Sequence, residues 1–258
     1  FVIGYGGVLQ VDNSGLVKSD RLADATLIDL FGGTVALVGK AGGTTGETMG
    51  QLRPRNNYSG YVQSLVPVGS TANWRFANIA LEGANQGNTV KFIGRGSDIT
   101  AAGSNRIAFN FMPILTDGIL PYAVMQGTGG LDFATVTNAT PSVTPGNNFL
   151  GALTSGPNFA TTLAGATGTV NVKLTTVGPH AVGAATTANA LLLANGAVVV
   201  NGAGPLTLDS GLLVSSGASN AVSVSTLTLG TTEGIVYVDN GSLNVNSSVG
   251  GATSSLAK

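Results

Sequence analysis

The sequence has no cysteine, which excludes disulfides, thiolate metal sites and cysteine nucleophiles. Histidine is almost as scarce. His180, in "TTVGPHAVG", is the only one, so a Ser-His-Asp arrangement would have to use it and a metal site would have to rest on carboxylates. No G-x-S-x-G elbow supports such a nucleophile, and a corner residue is the plainer reading of His180. Charge is thin too: 9% of residues are charged, against about 25% in an ordinary globular chain. The formal net charge is −1 and no basic cluster occurs, which argues against a nucleic-acid partner. Long uninterrupted apolar runs are also missing. Mean hydropathy is +0.33, yet the uncharged stretch from Leu174 to Leu208 is broken throughout by Gly, Pro, Asn and Thr, so it does not read as a spanning helix. No signal peptide is visible and the chain opens on Phe1, which reads as a processed or excised piece of a larger precursor.

What is abundant is glycine, 39 of 258 residues, set among β-branched residues, the mark of short strands joined by many turns. The stretch "NGAVVVNGAGPLTLDSGLLVSSGASNAVSVSTLTLG" (195–230) shows the pattern. Three or four apolar residues, a Gly, Asn or Ser corner, then three or four more. Strand centres fall near Leu192, Val199, Thr207, Leu213, Ser223, Thr228, Val236 and Asn244. Taken in threes they return to the same position after 21 residues (Leu192 to Leu213), 23 (Leu213 to Val236), 24 (Val199 to Ser223) and 21 (Ser223 to Asn244). A period of this size with three short strands in it predicts an all-β solenoid, a three-sheet parallel β-helix. Each circuit adds one strand to each sheet, so no crossover helix is needed. Corners that require positive φ take Gly or Asn. Alternation in "LTLD", "STLTLG" and "SLNVNS" assigns Leu206, Leu208, Leu212, Val214, Leu227, Leu229, Val236, Val238, Leu243 and Val245 to the interior. The rival is a β-sandwich, whose strands also alternate but usually run longer.

These rhythms divide the chain, read as one β-helical segment 1–258, into three parts. Residues 1–113 carry less regular rungs, among them "GGVLQVDNSG" and "DLFGGTVALVGKAGG". Residues 114–158, with several prolines and sparse alternation, read as an irregular excursion, either functional or packed over an exposed edge. Residues 159–258 carry the regular rungs.

Several motifs fall short of chemistry. "GKAGGTTG" (39–46) has its Lys before the glycines, unlike a phosphate loop. Asp20 and Asp24, flanking Arg21, would share a face if "SDRLAD" made a helical turn; a solvated turn or helical cap is the preferred reading, since a glycosidase-type pair needs a measured separation of its carboxylates. Asp209 and Asp239 stand in turn-forming "DSG" and "DNG". Sequons at Asn57, Asn138, Asn240 and Asn246 matter only in a glycosylating host. Arg53, Arg55 and Tyr58 in "LRPRNNYSGY", with Trp74 and Arg75 in "NWRF", are the richest mixture of cationic and aromatic groups. They are candidates for a glycan or subunit contact, or for a packed corner in which Arg covers an aromatic face. No residue pattern calls for a cofactor.

"DRLADATLIDLFGGTVALVGKAGGTTGETMGQL" (20–52), "GILPYAVMQGTGGLDFATV" (118–136) and "TLTLGTTEGIVYVDNGSLNVNSSVGG" (226–251) resemble the bacterial autotransporter-associated β-strand repeat. The resemblance implies a right-handed parallel β-helix, export to the cell surface or the extracellular space, and an adhesive or scaffolding role. It brings no catalytic motif with it. The expectation is therefore a non-enzymatic structural protein that self-associates into a fibre or layer or serves as an adhesive scaffold. A β-helical carbohydrate hydrolase or lyase and a glycan-binding adhesin are the alternatives.

Overall fold

The computed structural model describes residues 1–55, 58–81, 87–138, 148–230, 233–251 and 255–257. Among these there is no helix; the chain is a β-solenoid of about ten turns, and its residues gather into two compact units. The sequon at Asn57 lies outside the described residues.

The first unit comprises residues 1–84, 88–115 and 123–152. Its opening turn holds β1 (Val2–Gly4) and β2 (Val8–Asp12). The second holds β3 (Ile28–Phe31), β4 (Thr34–Val38) and β5 (Thr44–Met49). The third holds β6 (Leu52–Pro54), β7 (Ser59–Leu65) and β8 (Thr71–Phe76). In the fourth, Ile79 makes a single bridge to Leu52, followed by β9 (Thr89–Arg95) and β10 (Asn105–Phe109). Strands on one face pair in parallel, β1-β3-β6, β2-β4-β7-β9 and β5-β8-β10. Alternate residues of β8, Ala72, Trp74 and Phe76, point inward and are fully buried, as are Val35, Leu37, Val62, Phe92 and Ile107. Each Val, Leu, Ile or Phe among them contributes about 1.5–3 kcal/mol through burial.

The stretch read as irregular contains three strands. β11 (Ala123–Gly127) adds to β9 in parallel. The chain then reverses, and β12 (Gly130–Asn138) and β13 (Asn148–Ala152) run antiparallel to their neighbours. β13 also pairs antiparallel with β10, joining two parallel sheets into one of ten strands. The open edges of β10 and β11 are thereby covered, which is how a protein blunts an edge that would otherwise pair with another chain. Residues 139–147, also within the expected excursion, lie outside the described residues.

The second unit comprises residues 85–87, 116–122 and 153–258. After β14 (Phe159–Ala160), its turns hold β15 (Asn171–Leu174) and β16 (Gly178–Ala181), then β17 (Thr186–Leu193) and β18 (Val198–Gly202). β19 (Leu206–Val224) makes a whole circuit. β20 (Thr226–Leu229) with β21 (Glu233–Val245), and β22 (Ser248–Gly251) with β23 (Ser255–Ala257), complete the coil. The pairing between these turns is parallel. Leu213 faces Val236 as the sequence spacing requires, while Leu192 faces Val214 and Val199 faces Ala221, one and two residues from the expected partners. Three strand centres, at Thr207, Leu213 and Ser223, fall in the single strand β19, because its corners are register shifts rather than loops. One such corner is Gly217, at φ 95°, where a Cβ would sit 2.6 Å from the Gly196 nitrogen of the turn below.

Buried amides hold the corners in line. Asn171 donates to the carbonyls of Asn158 (2.9 Å) and Asp117 (2.8 Å), and Asn189, at the β17 bulge, donates to Asn171 Oδ1 (2.7 Å) and the Thr116 carbonyl (3.2 Å). Ser210 Oγ then donates to the Asn189 carbonyl at 2.6 Å. At another corner Asn220 accepts from the Val198 N–H (2.9 Å) and donates to Ser215 Oγ (3.0 Å). Such amides satisfy backbone groups that the turning chain cannot pair by itself.

Candidate binding surfaces

The residues singled out from the sequence separate in the structure. Trp74 points into the first unit and is fully buried, its indole N–H donating to Ser64 Oγ at 2.6 Å. Ser64 in turn donates to Asn105 Oδ1 at 2.6 Å, a chain that satisfies the indole donor inside an apolar core. Trp74 is thus not available to a glycan, and the expected surface cluster built around it is corrected. The reason lies in strand alternation: "TANWRF" sends Ala72, Trp74 and Phe76 to one face and Arg75 to the other. Arg75 stands outward and half-buried between Thr48 and Ala108 of the adjacent turns, on a different sheet from Arg53.

Arg53 and Arg55 do come together, on the outer side of the β1-β3-β6 sheet. Parallel pairing puts Arg53 beside Asp29 of the preceding turn. Arg53 Nη2 reaches Asp29 Oδ2 at 2.6 Å, and Arg55 Nε reaches Oδ1 at 2.5 Å. Asp29 and Arg55 are buried, and the Nε of Arg53 is buried without a hydrogen-bond partner. Burial by itself raises the Asp29 carboxyl. Hydrogen bonds from Arg53 and Arg55, together with their charges, outweigh it and hold the group below the usual carboxylate range. The two arginines grip a carboxylate rather than an aromatic face.

The Tyr58 N–H donates to the Arg55 carbonyl at 3.2 Å, and the Tyr58 carbonyl accepts from Thr89 N–H at 3.3 Å. It is 44% exposed. Its neighbour across the corner is Tyr5, a residue the sequence reading passed over, which is 88% exposed. Gly32 of the intervening turn, at φ 83°, lies beneath both rings: a Cβ there would stand 3.2 Å from Tyr5 Cδ2 and 3.3 Å from Tyr58 Cδ1. The available signal was the repeated Gly-Gly corner, "YGGV" at 5–8 and "FGGT" at 31–34.

A second surface lies in the other unit. Leu227, Leu229, Val236, Val238, Leu243, Val245 and Val249 line an apolar cavity of about 220 Å³ formed by β20, β21 and β22. It extends the buried column that runs through Leu191, Leu213 and Leu206. Of the ten positions assigned inward from the sequence, Leu206, Leu208, Leu227 and Leu229 are buried in that column, whereas Leu212 and Val214 are buried outside it and Leu213 between them takes the inward place. Val236, Leu243 and Val245 are partly buried against the column, and Val238 is 38% exposed.

No family model, curated protein or solved structure matches this chain.

The remaining polar candidates have local duties. No helical turn forms around Asp20 and Asp24; instead the N–H groups of Arg21 and Leu22 donate to the buried Glu47 carboxylate at 3.1 and 3.0 Å. Arg21 Nε donates to Asn13 Oδ1 at 2.6 Å. Asp98 accepts from the N–H and hydroxyl of Thr128. His180 lies in β16, with Nε2 2.9 Å from the Thr176 carbonyl. Among the described residues no group of three or more His, Asp or Glu side chains gathers as a metal site would require, and no helix is long and apolar enough to cross a membrane.

Proposed function

We propose that this chain is a structural segment of an exported bacterial surface protein, of the kind its repeats resemble, and that its coil self-associates into fibres or layers or serves as an adhesive scaffold. The observation that carries the reading is the apolar cavity formed by β20, β21 and β22. Its walls are almost wholly aliphatic and Val249 on its rim is 53% exposed. A further parallel rung laid over it would bury that surface and pair strand edges at once. Contacts of this head-to-tail kind build open filaments unless the rotation closes. The low charge of the chain leaves little repulsion to oppose close packing. An enzymatic role asks for converging carboxylates, whereas Asp29, Glu47 and Asp98 are each engaged in bonds that fix the coil.

The test combines sedimentation velocity with negative-stain imaging of the intact chain and of a Val238→Lys, Val249→Lys variant. Both substitutions place charge in the cavity wall at positions already partly in water. Concentration-dependent rods for the parent chain and monomers for the variant are expected. A parent chain that stays monomeric at every accessible concentration, or a variant that assembles equally well, would overturn the reading.

A further inference from the structure

We propose that Tyr5 and Tyr58, drawn together over Gly32, form a stacking platform for a pyranose ring of a neutral oligosaccharide. This site is separate from the cavity invoked for self-association and stands or falls without it.

Adjacent parallel strands lie about 4.8 Å apart, so a tyrosine of the first turn and one of the third are two steps away from each other. Any side chain on the second turn would stand between them. Gly32 leaves that place empty, and both rings close over it, their Cδ atoms 3.2 and 3.3 Å from where a Cβ would be. The arrangement is held from below. Gly33, next along, has no room for a Cβ, which would stand 2.6 Å from the Ile3 carbonyl oxygen and 2.8 Å from that of Gly4, so the corner packs backbone on backbone. Tyr58 is anchored by backbone bonds on both its N–H and its carbonyl.

The surroundings favour a sugar over a protein surface. A pyranose offers C–H groups to an aromatic face and hydroxyls around its edge, so its site needs exposed rings beside fixed polar groups. Here Ser59 follows Tyr58 in the chain and its hydroxyl lies 2.7 Å from that of Thr89, whose N–H donates to the Tyr58 carbonyl. An aromatic hot spot for a protein partner is instead seated in a well-packed, desolvated setting, whereas Tyr5 is 88% exposed on a corner.

The probes are two soluble hexasaccharides, β-1,4-linked glucose and β-1,4-linked N-acetylglucosamine, titrated into the intact chain by calorimetry. Saturable binding of at least one is expected, weakened about tenfold by Tyr5→Ala and by Tyr58→Ala. Tyr58→Phe, which keeps the ring, should retain binding, and unchanged thermal unfolding of Tyr5→Ala shows that the loss is not one of folding. Absence of binding by both probes at millimolar concentration would overturn the proposal, as would binding that survives both alanine variants. If the alanine variants abolish self-association while neither sugar binds, the surface is a protein contact and the proposal fails. The Val238 and Val249 variant should bind sugar normally, so failure of the assembly reading is distinguishable from failure of this one.

Discussion

The side-chain amide of Asn189 donates to Oδ1 of Asn171 across one turn of the second unit, at 2.7 Å, with both residues fully buried. The same Asn189 amide also serves the Thr116 carbonyl. Asn189→Ala strips two acceptors of their donor and opens a small void, at a cost of about 2–3 kcal/mol. Asn189→Asp costs more, because it sets a carboxylate against the Asn171 oxygen and the Thr116 carbonyl in a site with no compensating donor. Urea unfolding of the two variants, with the aspartate variant the less stable, is the expected outcome.

Asp29 links acid stability to the first unit. Its carboxyl ionises below its ordinary value of 3.8 in the folded chain, so the folded state favours the charged form. The stabilisation is fully present above the unfolded value and is lost as pH falls through the folded one. Stability should be level on this account near neutrality and fall below about pH 4. Asp29→Asn lowers stability at pH 7 by roughly 2 kcal/mol, since two arginines lose their counter-charge, and flattens the acid slope. Part of the slope remains, because the Asp12 carboxyl, bonded to Ser14, is also held low. Chemical denaturation at a series of pH values measures both effects.

Gly217 is a corner at which the backbone itself is the constraint. With φ at 95° and the Gly196 nitrogen of the adjacent turn 2.6 Å from the Cβ position, alanine strains the chain and pushes the turns apart. Gly217→Ala should destabilise by about 2–4 kcal/mol. Gly42, at φ 66° with open space around it, provides the comparison. Gly42→Ala carries only the backbone strain, about 1–2 kcal/mol, so the gap between the two unfolding free energies reports the inter-turn clash.

Trp74 is the only tryptophan, so its fluorescence reports the first unit alone. The folded chain should emit at short wavelength and resist acrylamide quenching, and both properties should vanish on unfolding. Trp74→Phe removes the donor to Ser64 and some volume, costing roughly 1–3 kcal/mol. It should leave hexasaccharide binding untouched.

The sequence displays the coil where each turn is self-similar. Leu213 and Val236 occupy equivalent places in "GLLVSS" and "GIVYVD", and the structure sets them opposite one another. Registers elsewhere slip by a residue or two because extra residues stand at the corners, Asp209–Gly211 opposite Asn189 and Asn240 opposite the step from Ser216 to Gly217, and each insertion shifts the phase of the alternation. The reversal at β12 was hidden for a related reason. "LDFATVT" alternates identically whether its partner runs parallel or antiparallel, so direction is a tertiary property. Trp74 was legible, since Ala72, Trp74 and Phe76 share one face of a strand, but its cationic neighbour Arg75 drew it into a surface cluster. Tyr5 was not legible beside Tyr58. They lie far apart in sequence, and only the stacking of turns brings them over Gly32.

Successive turns of the second unit lie in parallel register, and the absence of native cysteine makes that register measurable with paired spin labels. Thr207 pairs with Thr228 on one face of the second unit, and Asn201 pairs with Ser223 on another. Cysteines at each pair, labelled with nitroxides, should both show the strong dipolar broadening of neighbouring strands about 4.8 Å apart. Spectra equal to the sum of the singly labelled chains at either pair would contradict the coil and everything built upon it.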